Sequence, residues 1–109
     1  MPFYHENLAA GRWQTLSLAE QMGNIGSEIG RAKRWQGRDE NLFWGAVRRA
    51  LELFDFTISD ARWRGRLKEI TRAREVFCDA AQGGGEYKSN LFDLTSYFDA
   101  FAYEARKDK

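Results

Sequence analysis

A chain of 109 residues with 43% apolar and 15% aromatic residues is long enough for one modest core and too apolar for a disordered segment. Seventeen basic against sixteen acidic side chains leave a net charge of +1, which excludes a global electrostatic signal for nucleic acid or membrane. One cysteine, Cys78, excludes an internal disulfide and a multi-cysteine metal site and fits a reducing cytosol.

Residues 1–14, "MPFYHENLAAGRWQ", read as an N-terminal arm without the basic-then-apolar order of a signal peptide. Ser17 and Glu20 then form a capping box that opens a helix over 17–36. Leu18, Met22, Ile25, Ile29 and Ala32 line one face of it, and Gly37 stops it. Asp39 caps a second helix over 40–58 with a wide apolar face: Phe43, Ala46, Val47, Ala50, Leu51, Phe54 and Ile58. That width predicts the central, most buried helix.

Ser59 or Asp60 caps a third helix over 61–82, with Trp63, Leu67, Ile70, Phe77 and Ala81 as its seam. The stretch "QGGGEY" ends it, because three consecutive glycines sustain neither helix nor strand. Ser89 or Asn90 opens a fourth helix over 90–106 along Leu91, Leu94, Phe98, Phe101 and Ala105, and the tail frays. The only proline is Pro2 and no segment alternates with period two, so strands are not expected. Short connections predict an all-α, antiparallel up-down four-helix bundle in a single domain spanning 1–109.

No catalytic constellation emerges. The only histidine, His5, falls in the N-terminal arm, so Cys78 is not expected to have a general base beside it and reads as a small buried hydrophobe. The Glu-x-x-His motif of di-iron bundles is missing, as is the Arg/His spacing of helical ribonuclease domains. "GNIGSEIG" has neither the spacing nor the preceding strand of a phosphate-binding loop. The expectation is a non-enzyme with no metal and no cofactor. No apolar run is long enough for a bilayer, so the expected location is cytoplasmic, away from membranes.

Two patterns remain as candidate interaction sites. Ala19, Gly23, Gly26 and Gly30 follow 4-3-4 spacing and form a side-chain-free strip beside the apolar face of the first helix. Such a groove admits another helix backbone at close range, from the same chain or from another subunit. The second pattern is charge. Residues 1–30 carry net −2, residues 31–74 net +6 and residues 75–109 net −3. Within the basic segment Arg64, Lys68 and Arg72 fall at i, i+4, i+8 on the third helix. Arg31, Lys33, Arg34 and Arg38 cluster at the end of the first and could extend that ridge. Like charges at this spacing repel by a few tenths of a kcal/mol, and a local basic stripe can bind phosphates in a near-neutral protein. Arg74 projects into the third helix's apolar seam, either snorkelling or pairing with a carboxylate.

The stretches "LSLAEQMGNIGSEIGRA", "RRALELFDFTI" and "RGRLKEITRAREVF" resemble a group of small prokaryotic helical proteins without an assigned activity. More distantly, "LELFDFTISDARWRGRLKEITRAREVF" is similar to the four-helix bundles related to the accessory variability protein of diversity-generating retroelements, a set that includes the intervening-sequence proteins of bacterial ribosomal RNA genes. That resemblance, over about thirty residues from Arg48 to Phe77, implies a barrel-like homo-oligomer whose basic surface binds nucleic acid or a reverse transcriptase. The expected function is therefore an oligomeric accessory or scaffold bundle that binds nucleic acid or a nucleic-acid-binding protein through the basic ridge. The alternative is a protein-interaction subunit that uses the glycine groove and exposed aromatics such as Trp35 or Tyr103.

Overall fold

A computed structural model describes residues 11–85 and 90–107, and His5 and Ser89 lie outside them. The described residues form four α-helices and two short 3-10 turns, with no strand among them. The first helix, α1, spans Leu18–Trp35, α2 Glu40–Ile58, α3 Leu67–Ala81 and α4 Leu91–Lys107. The 3-10 turns are Arg12–Thr15, before α1, and Ala61–Arg66, between α2 and α3.

Local chemistry sets the helix ends. The Ser17 hydroxyl accepts from the Glu20 amide at 3.1 Å, and Glu20 Oε1 accepts from the Ser17 amide at 2.9 Å. These bonds satisfy two of the donors that an open helix start leaves unpaired. Beyond α1, Gly37 takes φ +76°, a left-handed conformation that a side chain would resist. Asp39 caps α2 by accepting from the Leu42 amide at 3.0 Å, and Asn90 caps α4 by accepting from Asp93 at 2.8 Å. After α3, Gly83 and Gly84 take φ +110° and +80° and turn the chain out of the helix.

The apolar stripes meet in one core. From α1 it takes Met22, Ile25, Ile29 and Ala32; from α2 Phe43, Ala46, Val47, Ala50, Leu53 and Phe54. Phe54 joins three helices, its ring centroid lying 6.0 Å from Phe77 of α3 and 6.0 Å from Phe98 of α4.

Three expectations need correction. The central helix is α1, which packs extensively against both α2 and α4, although the more apolar α2 buries more residues, seven against six. Its glycines let neighbours come close, so backbone access outweighs hydrophobicity in choosing the hub. The arm expected over 1–14 ends early: Trp13 is fully buried and belongs to the core. The third helix, expected from 61, is α-helical only from Leu67. Asp60 caps a 3-10 turn by accepting from the Arg62 amide at 3.1 Å, and Trp63 leaves helical geometry at φ −102°, ψ 20°. Leu67, assigned to the seam, consequently lies exposed at the start of α3.

Candidate nucleic-acid interface

The basic residues at the end of α1 sit among aromatic rings and one buried acid. Glu28 is buried on α1 and accepts from Arg49 Nε of α2 at 2.6 Å. Arg31, one turn on, also bonds Glu28 while remaining exposed. Lys33 reaches α4, its ammonium 4.8 Å from the centroid of the exposed Phe92 ring. The Arg34 guanidinium lies 5.5 Å from the ring centre of its neighbour Trp35. Trp35 itself is half-buried against the core rather than presented to solvent; Tyr103 is 64% exposed. Arg38 is exposed in the connection to α2, its amide donating to the Trp35 carbonyl at 2.9 Å.

The proposed ridge on the third helix is divided. Lys68 and Arg72 lie exposed on α3, but Arg64 belongs to the preceding 3-10 turn, so the i, i+4, i+8 register does not run through all three. A 3-10 turn advances about 120° per residue against 100° in an α-helix, which rotates Arg64 away from the other two. Its neighbour Trp63 donates from Nε1 to Gln21 Oε1 at 2.8 Å, tying this turn to the start of α1. Lys33 lies ~18 Å further along that helix by its rise per residue. The two basic groups therefore attach to the fold at different places.

Arg66 and Glu69, between these cations, bond each other, and Glu69 also bonds Tyr97 of α4. Arg66 Nε donates to Glu69 Oε2 at 2.9 Å, and the Tyr97 hydroxyl donates to Glu69 Oε1 at 2.9 Å. Burial works to raise the Glu69 carboxyl, but the bonds from Arg66 and Tyr97 outweigh it and leave it below its ordinary value. Burial and the bond to Glu69 push the Tyr97 phenol up to about 12.

A buried polar network, invisible to hydrophobic periodicity, holds the 3-10 turns in place. Trp13 Nε1 donates to Thr57 Oγ1 at 3.0 Å, and Thr57 donates onward to the Leu53 carbonyl at 3.0 Å. Gln21 Nε2 donates to the Trp13 carbonyl at 2.9 Å and to Asp60 Oδ2 at 3.1 Å. Arg62 closes the circuit, donating to Asp60 Oδ2 at 2.6 Å and to the Leu16 carbonyl at 2.7 Å. The Arg62 side-chain bond, working against burial and joined by the Arg62 amide and Gln21, lowers the Asp60 carboxyl to about 2. No buried side-chain nitrogen or oxygen among the described residues lacks a partner, so the network rigidifies the fold without an unpaired group. The sequence signal for it was faint: a tryptophan in an apparent arm, and a glutamine beside an apolar stripe.

The glycine strip meets the chain's own fourth helix. A Cβ on Gly26 would lie 2.7 Å from Phe98 Cβ, and one on Gly23 would lie 3.3 Å from Ala102 Cα. A Cβ on Gly30 would have nothing within 4 Å. Ala19 is half-buried at the start of the strip. Arg74, expected within the apolar seam, is two-thirds buried and donates from Nε to Asp55 Oδ1 of α2 at 3.0 Å. Its Nη1 approaches Cys78 Sγ at 3.9 Å, and Cys78 is half-buried rather than fully enclosed. No group of three or more metal-ligating side chains occurs among the described residues, and none of their helices is long and apolar enough to cross a membrane.

Chemically, the exposed cations can donate to anionic oxygens, while Phe92 and Tyr103 offer apolar ring surface. Comparison with protein-family models, with curated proteins and with solved structures returned no match.

Proposed function

We propose that this chain is a non-enzymatic accessory or scaffold bundle that assembles as a homo-oligomer in the cytoplasm. It binds nucleic acid, or a nucleoprotein such as a reverse-transcriptase complex, through its basic middle segment. The observation that carries this reading is the exposure of Arg34, Arg38, Arg64, Lys68 and Arg72 within a segment of net charge +6. Phosphate binding releases condensed counterions, so a few such contacts give measurable affinity without a large total charge. An antiparallel up-down order is part of the same reading. It is supported by the pairing of Gly23 with Ala102, Gly26 with Phe98 and Lys33 with Phe92, where numbers rise along α1 as they fall along α4. The sequence resemblance over Arg48 to Phe77 is part of the same reading, and the non-enzymatic part rests on Cys78 having no histidine beside it among the described residues.

The experiment is a binding titration of duplex and single-stranded DNA and RNA across salt. The affinity is expected to fall steeply with ionic strength. Reversing Arg64, Lys68 and Arg72 together should reduce the log–log salt slope by roughly three. Undetectable binding to every nucleic acid at low salt defeats the proposal. The second reading, a partner helix in the glycine groove, finds Gly23 and Gly26 already covered by α4; only Gly30 of the three glycines has no neighbour within 4 Å.

A further inference from the structure

Phe92 is the most exposed large apolar side chain among the described residues, at 66%, yet the helix turn that carries it is packed into the core. Its neighbours Leu91 and Leu94 are 1% and 8% exposed, and Asn90 caps the helix turn that carries it. Lys33 approaches the ring from the last turn of α1, where the adjacent Ala32 is fully buried. A ring and a cation, each fixed to a different helix, are thus held together at one point on the surface.

Resting on the nucleic-acid reading above, we propose that Phe92 and Lys33 form a stacking platform for an unpaired base, which makes the preferred ligand single-stranded nucleic acid. The ring, 66% exposed, supplies a flat apolar face on the side away from Lys33. The Lys33 ammonium lies over one face of the ring, 4.8 Å from its centroid, so the base stacks on the opposite face with a cation in reach of its flanking phosphate. Arg34, one residue on, is exposed, with its guanidinium 5.5 Å from the Trp35 ring centre. Charge complementarity selects a polyanion over an apolar peptide for this spot, because an ammonium stands on the ring itself. Duplexes are disfavoured there, since paired bases already cover one another's faces and leave the ring only a backbone to touch. Asp93, the nearest acid in sequence, has Oδ2 engaged by Asn90 Nδ2 at 3.1 Å in the helix cap.

The test measures affinity of the full chain for oligothymidylate, oligouridylate and a mixed-sequence duplex, each about twenty nucleotides long. Phe92→Leu keeps apolar bulk but loses the stacking face. It should weaken both single strands about tenfold and leave the duplex within about twofold, while Phe92→Tyr restores binding. Circular dichroism checks that the variants fold. Equal loss on single strands and duplex overturns the platform. So does unchanged single-strand affinity in Phe92→Leu when Arg34→Glu still weakens binding, an outcome that leaves the broader reading standing. Failure of the unmodified chain to bind any of the three overturns both. Comparing oligothymidylate with oligouridylate separates DNA from RNA as the source of the base.

Discussion

Replacing Gly26 with alanine sets two opposing effects against each other at one atom. Alanine is better than glycine inside a helix by about 1 kcal/mol. The added methyl, however, would lie 2.7 Å from Phe98 Cβ, the root of a fully buried side chain and not its flexible tip. Relief requires α1 and α4 to separate or Phe98 to shift within a packed core, and overpacking of this kind costs about 1–3 kcal/mol. The net expectation is a destabilisation of roughly 1 kcal/mol, or about 4–8 °C in Tm for a domain near this size. Gly30→Ala meets no atom within 4 Å and keeps only the helical gain, so it should stabilise by up to about 1 kcal/mol. Gly23→Ala, at 3.3 Å from a backbone carbon, should come out near zero. Urea unfolding of the three variants gives the order directly. A Gly26→Ala protein as stable as Gly30→Ala would refute the inference that α4 of the same chain occupies this strip.

The buried network yields two further predictions. The Asp60 carboxyl, lowered from 3.8 to about 2 in the folded state, contributes stability that is fully present above its unfolded value and disappears as pH falls through about 2. Unfolding free energy should therefore decline by about 2 kcal/mol across this acid range from Asp60 alone; Asp60→Asn should flatten that part of the profile, and an unchanged slope would count against the Arg62 pairing. Thr57→Val preserves shape but strands the fully buried Trp13 indole N–H, at a cost of about 1–3 kcal/mol. Denaturation followed by tryptophan fluorescence measures this, and a neutral result would mean that the indole has another acceptor.

Residues whose role is local were legible in the sequence. Ser17 and Glu20 announce a capping box because both bonds lie within one turn, and Met22, Ile25 and Ile29 announce a buried stripe because helical geometry repeats. What joins distant parts of the chain was not. Gln21 and Thr57 look like ordinary polar residues until Trp13 and Asp60 are brought to them across the fold. The seam position given to Leu67 failed because the 3-10 turn before it breaks the α-helical register. The division of the basic ridge has the same cause. At Phe92, composition reported an aromatic residue, but only the packing of α1 against α4 brings Lys33 onto its ring.

The meeting of Gly23 and Gly26 with α4 bears on the order in which this protein can fold. A helix with three glycines has little stability on its own, because each raises the entropy lost on ordering the backbone. Its hairpin partner α2 arrives after a short connection, but Ala102 and Phe98 come from the far side of α3. Closing that long loop is slow relative to forming the hairpin. A chain interrupted before α4 leaves the barest side of α1 open to water and to other chains. The last helix thus covers the barest side of the first, and the packing of α1 is complete only with α4 in place.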